Sequence, residues 1–334
     1  MKVCLLHQGD PRLAQSSPLV ASALHTKDAI ASVLRGRGAE CVEVLLDDRL
    51  GFIGTLHAAH PDLVFNACDL GLSYRPELEP HVSAILDAMR IPYTGSDAFS
   101  LSLTNDKALS KELLSLHGVP TPRFAVLGQN ARKPGPRDLP VAPPVICKPL
   151  LKHNSLDISF DSVVYDPPTL ASRIQDIERG GQPYLLEEYI EGRELIAAFV
   201  GNDAHRKLLP IEEILFGDYF NGKPHVLTYA AKWDDDDPAC IESRPCVPAA
   251  IGATVERELA RVVPEIARVM HMRDYGRVDF RLDLDGRLYA IDINANPDVS
   301  PDAGLFKMAR AAGLSYADFI WGIIDSACQR GLTA

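Results

Sequence analysis

Arg277, Asp279, Asp292 and Asn294 are spaced so that they can work as one chemical unit. They lie in two alternating apolar runs, Arg277-Val278-Asp279-Phe280 and Ile291-Asp292-Ile293-Asn294, on either side of Asp285-Gly286. Asp-Gly between such runs is a strong signal for a two-residue hairpin turn. A turn at Asp285-Gly286 pairs position 284 with 287, hence 279 with 292 and 277 with 294. Alternation along each strand then gathers the four side chains on one face. Two directly opposed carboxylates repel each other, and a divalent cation between them removes that repulsion. Carboxylate and amide oxygens are hard ligands, suited to one or two Mg²⁺ ions, or Mn²⁺ in their place, shared with a nucleotide's phosphates. The competing expectation is a solvated face on which Asp283 and Asp285 merely shape the turn. A bulge in either strand would break this register.

These residues need a scaffold, and 334 residues are too many for one simple core, so two or three subdomains are expected. Charged content of 24% and hydrophobic content of 46% are ordinary for a soluble enzyme. The formal charge of −11 disfavours a non-specific nucleic-acid partner. Seven scattered cysteines without a Cys-x-x-Cys pair suit buried thiols in a reducing, cytoplasmic setting rather than disulfides or zinc. The apolar run Val3 to Leu6 is too short for a signal-peptide core. No run of 18 apolar residues is present, so no membrane span is expected.

The first hundred residues alternate between strand and helix patterns. Strands are expected at Val3–Leu6, Cys41–Leu46 and Asp62–Phe65, with helices over about 18–35 and from Pro76 to Met89. This rhythm implies a small parallel-sheet domain. No Gly-x-Gly-x-x-Gly follows the first strand, so a dinucleotide-dependent reductase lacks its fingerprint. Asn105 or Asp106 can cap a helix that carries Lys107 in its first turn. The proline-rich stretch Lys133 to Pro144 reads as an extended surface connection. Further strands are expected at Val145–Lys148, Tyr184–Ile190 and Glu194–Val200. A long helix is expected over Ala249–Met270, kinked or split by Pro264, and two more helices over Pro301–Ala312 and Ser315–Cys328.

From Ile91-Pro92-Tyr93-Thr94-Gly95-Ser96 onward, and most strongly over Tyr275–Pro297 and Ala311-Ala312-Gly313-Leu314-Ser315-Tyr316, the chain resembles the ATP-grasp superfamily. Within it the resemblance is to the D-alanine–D-alanine ligase-like branch of carboxylate–amine ligases. That implies an α/β fold of three subdomains, over 1–103, 104–190 and 191–334, with ATP held between two sheets. It also implies an ADP-forming carbon–nitrogen ligase that activates a carboxylate as an acyl phosphate for attack by an amine. The partners would be small-molecule carboxylate and amine substrates, and relatives are commonly homodimers.

The resemblance further implies roles for individual residues. Lys107, Lys148 and Lys232 match phosphate-neutralising lysines, and Glu187-Glu188-Tyr189-Ile190 matches the hinge where adenine binds. Glu194 matches the acid that holds the ribose, with Ile291 closing the other side of the adenine pocket. Arg277 matches the arginine on the transferred phosphoryl group, and Asp279, Asp292 and Asn294 match the metal ligands. Aspartate at 292 is one methylene shorter than the glutamate more common there, which bears on a second metal.

Departures from the family pattern concern the substrates. The stretch Lys152-His153-Asn154-Ser155-Leu156-Asp157 has no glycine where the ligases carry a glycine- and serine-rich phosphate loop. Ser155 can instead offer a side-chain donor, and is taken as a catalytic candidate with Arg277 and Lys232. His7-Gln8-Gly9-Asp10-Pro11-Arg12 has no glutamate to hold an alanine ammonium. Asp298 stands where a glycine is usual, and a carboxylate-binding serine falls near Ala303. An aspartate there would repel a second substrate's carboxylate. A divergent, specialised-metabolite ligase is therefore expected rather than D-alanyl-D-alanine synthesis. A genuine D-alanine–D-alanine ligase and a catalytically silent nucleotide-binding protein are the alternatives. The run Asp234 to Asp237 reads as a solvated loop, or else as a lid favouring a cationic substrate.

Overall fold

A computed structural model describes residues 1–331 apart from 14, 16, 48, 129–140 and 152–156. Among the described residues the strands form three sheets. In the first, Lys2–His7 lies between Glu40–Leu45 and Leu63–Ala67, all parallel. Val3, Cys4, Leu5 and Leu6 are fully buried, because helices cover both faces of a central parallel strand. The helix Pro18–Gly36 begins where the Ser17 hydroxyl accepts the Val20 N–H, with proline in its first turn.

The second sheet is antiparallel, in the order Phe124–Leu127, Tyr184–Glu188, Val145–Pro149, Val163–Val164. Beside it runs the helix Lys107–Leu116, whose cap is Asp106: its carboxylate accepts the Ala108 and Leu109 N–H groups at 3.0 Å. That cap sets Lys107 in the first turn and Lys111 one turn later on the same face.

The third sheet orders Ser243–Cys246, Glu212–Phe216, Gly192–Val200, Tyr275–Asp283 and Leu288–Asn294, with Lys207–Leu208 paired beside Val200. On one face Val278, Phe280, Leu282, Leu288, Ala290 and Ile293 pack with Leu259, Val262, Val263 and Ile266 of the helix Ala253–Val269. Strand alternation leaves Arg277, Asp279, Arg281, Asp292 and Asn294 for the other face.

A buried charge joins the first sheet's unit to the third. Asp274 has no exposed surface and accepts the Gly95 N–H at 2.8 Å. It also pairs with Arg330 of the C-terminal helix at 2.7 Å and accepts from Asn202 Nδ2 at 2.8 Å. A fully buried carboxylate is tolerable only when saturated in this way.

Three expectations are corrected here. The helix Ala253–Val269 runs unbroken through Pro264. Pro264 lies on the exposed face, so water can take the carbonyl it frees while the buried face keeps the helix continuous. The helices Gly51–Ala59 and Ala98–Asn105 were not signalled, although the Asp97 carboxylate caps the second by accepting the Ser100 N–H at 2.9 Å. All seven cysteines are free, as expected, but only Cys4, Cys68 and Cys147 are buried and Cys328 is exposed. Most of the proline-rich connection lies outside the described residues. No helix among the described residues is long and apolar enough to cross a membrane.

An exposed proline inside a helix should be removable with profit. Pro264→Ala is expected to raise stability by roughly 1–3 kcal/mol, read as a higher Tm in thermal unfolding. An unchanged or lower Tm would mean that Pro264 holds a contact beyond the helix.

Candidate active site

The hairpin that carries the acidic residues is built differently from its expected form, yet ends with the expected pairing. Asp283 N–H donates to Arg287 O at 3.0 Å and Gly286 N–H to Asp283 O at 3.1 Å. The loop therefore holds three residues, Leu284, Asp285 and Gly286, with Gly286 at φ +82° as a three-residue hairpin requires. This shifts the register by one, so that Leu282 faces Leu288 and Phe280 faces Ala290. A bulge between Asp279 and Phe280 then shifts it back, with Ile291 as the extra residue. Asp279 faces Asp292 and Arg277 faces Asn294. The expected two-residue turn and unbroken ladder were both wrong, and the two offsets cancel.

The opposed aspartates are compensated by cations of the chain itself. Arg277 lies along Asp279 as a fork, with Nε–Oδ1 at 2.9 Å and Nη2–Oδ2 at 3.1 Å. Lys107 Nζ stands 3.7 Å from Asp292 Oδ1. Asn294 Oδ1 accepts the Asn296 N–H at 2.9 Å, leaving one lone pair for a further partner. Among the described residues no group of three or more His, Cys, Asp or Glu side chains converges as a metal site. Two carboxylates and an amide are a partial oxygen set, which fits Mg²⁺ completed by phosphates and water.

The opposite wall belongs to the second sheet, and its centre is Glu187, 2% exposed. Its Oε2 lies 2.8 Å from Lys111 Nζ and 3.2 Å from Lys148 Nζ. Lys111 also reaches Thr121 Oγ1 at 2.9 Å, and burial pushes its pKa down to about 8. Burial likewise lowers that of Lys107. Lys148 crosses to the hairpin, donating to the Ile291 carbonyl at 3.3 Å, a group that the bulge leaves out of the ladder. Lys111 was not singled out in the sequence. Its signal was the four-residue spacing from Lys107, which sets both on one helical face.

Between the two walls lies a cleft of about 960 Å³, open to solvent. Lys107, Lys148, Glu187, Glu188, Tyr189, Ile190, Glu194, Lys232, Arg277, Asp279, Ile291, Asp292 and Asn294 all line it. Within it, Glu188 pairs outward with Arg123 at 3.1 Å, which leaves its backbone as the part available to a ligand. Tyr189 is buried, its hydroxyl accepting the His225 N–H at 2.8 Å. Glu194 faces Arg281 across the ladder with a 3.2 Å ion pair, and burial raises its pKa. Arg281 lines the cleft but was not anticipated, because its worth depends on a partner far away in sequence, on the neighbouring strand of the sheet. Lys232 sits exposed on the short helix Tyr229–Trp233. Ser155 lies outside the described residues. The aspartate run takes ordinary capping duty: Asp237 caps the helix Pro238–Ile241, accepting the Ala239 N–H at 2.7 Å.

Residues 113–325 match the sequence model of the family described as "D-ala D-ala ligase C-terminus". The chain belongs to this family. It is 32% identical over 317 residues to the uncharacterized protein y4sG of Sinorhizobium fredii, covering 91% of this chain and 87% of that one. It is 27% identical over 308 residues to a D-alanine–D-alanine ligase of Cupriavidus pinatubonensis, with the same coverage of 91% and 87%. A D-alanine–D-alanine ligase of Bordetella pertussis is 31% identical over 252 residues, 73% of each chain. Among solved structures, D-alanine–D-alanine ligase from Bacillus anthracis complexed with ATP superposes with a TM-score of 0.77 over 98% of both chains, at 21% identity. The protein is thus an ATP-grasp, D-alanine–D-alanine ligase-like chain of α/β fold.

In this ATP-grasp chain a second cavity, of about 490 Å³, shares Arg277 and Asn294 with the first cleft. Asp69, Glu79 and Asp298 line it as well. Asp298 turns back on Ser300, accepting its N–H at 2.8 Å and its hydroxyl at 2.9 Å. Burial, with Asp298 nearby, pushes Asp69 up to about 7. Burial pushes Glu79 up to about 8, although Asn296 Nδ2 donates to its Oε1 at 2.7 Å. A carboxyl whose folded pKa lies above its ordinary value binds a proton more tightly in the folded state. Its contribution to stability is complete below about pH 4.5 and is lost as pH rises through 8. Glu79→Gln should therefore show a smaller fall in Tm between pH 5 and pH 8 than the parent. Equal falls in both proteins would remove Glu79 from this account.

Proposed function

We propose that this protein is an ATP-dependent carboxylate–amine ligase. It would release ADP and phosphate and join small amino-acid-like substrates through an acyl phosphate. The observation that carries the reading is a single cleft with cations on one wall and an acidic hairpin on the other. Lys107 and Lys148 face Arg277, Asp279, Asp292 and Asn294 across it, and Lys232 stands at its edge. The family match and the relatives named as D-alanine–D-alanine ligases support the same class.

In this reading Glu187 to Ile190 border the adenine, Glu194 meets the ribose, and Ile291 closes the pocket. Lys107, Lys148 and Lys232 hold the phosphates, because phosphoryl transfer is mostly positioning and charge stabilisation. Asp279, Asp292 and Asn294 would hold one or two Mg²⁺ ions, or Mn²⁺, which neutralise the phosphate oxygens. With Asp279 engaged as a metal ligand, the Arg277 fork would be free to turn to the transferring phosphoryl group. The substrate carboxylate oxygen attacks the terminal phosphorus and ADP leaves with the bond's electron pair. The amine nitrogen then attacks the acyl carbon, phosphate leaves from that carbon, and the nitrogen loses its proton. Asp298 and the absence of a serine at Ala303 favour an acceptor other than D-alanine. A silent nucleotide-binding protein is the competing reading, supported by the glycine-free loop around Ser155 alone.

Phosphate release from ATP would be measured across pooled D- and L-amino acids, dipeptides and amines, with mass spectrometry of nucleotide and product. Release that needs Mg²⁺, a carboxylate and an amine, and yields ADP, is the expected result. AMP as the product, or ATP binding without release from any pool, would overturn the ligase. Arg277→Ala should lower turnover by roughly a hundredfold while ATP affinity changes little. Asp279→Asn should lose Mg²⁺-dependent turnover. Unchanged turnover in Arg277→Ala would remove that residue from the phosphoryl site.

A further inference from the structure

Glu212 is a buried carboxylate on the active face with no ion-pair partner among the described residues. It is 4% exposed, and its Oε2 is buried without a hydrogen-bond partner. Its strand sets it opposite Ile196, and Ile196 lies opposite Asp279. Glu212 therefore shares a face with Arg277 and Asp279, two strands or roughly 10 Å from the latter. Burial raises its pKa, and Arg277 and Lys307 only partly offset that from a distance; no ion pair of Glu212 within 4.0 Å occurs among the described residues. Its surroundings are otherwise apolar, with Ile196, Ile214 and Leu305 in one core cluster. On its other side the carboxylate abuts the backbone at Gly304: a Cβ there would come within 2.9 Å of Oε1 and 3.2 Å of Oε2. Gly304 opens the helix Gly304–Ala311 directly after Ala303.

Leaving a carboxylate buried and unpaired costs stability, and a positive charge brought beside it removes that cost. We propose that Glu212 reads a cationic group on the acceptor amine, remote from the nucleophilic nitrogen. The second substrate is then a diamine or a similarly basic amine without a free carboxylate. This rests on the ligase reading and names its acceptor class. Arg277 marks where the acyl phosphate would form, so an acceptor must lie beside it, clear of the nucleotide. Glu212 lies on the same sheet face two strands away, and the cavity that shares Arg277 brings Asp298, Asp69 and Glu79 from the other side. An acceptor with its own carboxylate would meet acids it cannot pair with on both sides, whereas a second ammonium would draw a proton off Glu212 and pair with the carboxylate left behind.

Hydroxylamine, a small neutral nucleophile, tests the ligase reading by itself: with ATP, Mg²⁺ and pooled carboxylates, the wild-type enzyme should form a hydroxamate. With the acid so identified, kcat/KM would be compared for 1,4-diaminobutane, butylamine and D-alanine. The expected result is a preference of about tenfold for the diamine over butylamine, expressed in KM, with D-alanine poorer than either. Glu212→Gln should bring the diamine-to-butylamine ratio close to one, and Glu212→Asp should keep part of the preference. Because that ratio is internal to each variant, partial loss of folded enzyme leaves it unchanged. Equal use of both amines by the wild-type enzyme, D-alanine as the best acceptor, or an unaltered ratio in Glu212→Gln would each overturn the proposal. Absence of hydroxamate from every pool would overturn the ligase reading, and this inference with it.

Discussion

A carboxylate cannot be buried alone, and Glu187 is buried almost completely. Its pairing with Lys111 and Lys148 is the constraint on which the cleft depends. Lys111 belongs to the helix Lys107–Leu116, Lys148 to the strand Val145–Pro149, and Glu187 to the strand Tyr184–Glu188. One acid thus ties three elements of the central wall together. Lys148 extends the tie to the carbonyl of Ile291, and Lys107 to Asp292. The two sheets are held at a working separation by charged groups facing the site, while their apolar cores lie behind them.

Charge is nearly balanced among the side chains that line the cleft. Arg277 covers Asp279, Lys107 stands by Asp292, and Arg281 pairs with Glu194. A nucleotide with its metal would exchange these internal pairs for external ones, with few new charges left uncompensated. In the proposed reaction the lysines already line the cleft, whereas Arg277 would have to turn away from Asp279. Glu212 lies outside this balance, as do the carboxylates of the second cavity. The imbalance is local to the place where a second substrate would lie.

Much of the scaffold was legible because local chemistry and tertiary need agree. Asp106 is a good cap and does cap, so Lys107 falls in the first helical turn as expected. The apolar run Val3 to Leu6 reads as a buried strand and is one. The hairpin was legible for a less secure reason. Its three-residue loop and its bulge each move the ladder by one residue, and only their cancellation leaves Asp279 opposite Asp292. Pro264 misled because its propensity argues for a broken helix, whereas the packed face of Leu259, Val262, Val263 and Ile266 outweighs it.

The residues that escaped notice share a property: their meaning lies in a partner far away in sequence. Lys111 gains its role from Glu187, Arg281 from Glu194, and Glu79 from Asn296. Glu212 is distinguished by a buried Oε2 without a hydrogen bond and by no ion pair among the described residues. The sequence by itself determined the residue types, the caps and the strand alternation that place Arg277, Asp279, Asp292 and Asn294 on one face, because these follow from backbone geometry over a few residues. Only the tertiary structure decided which acids are paired, which are stranded and which side chains meet across the cleft. Burial and charge compensation depend on distances between segments, and no local pattern encodes those distances.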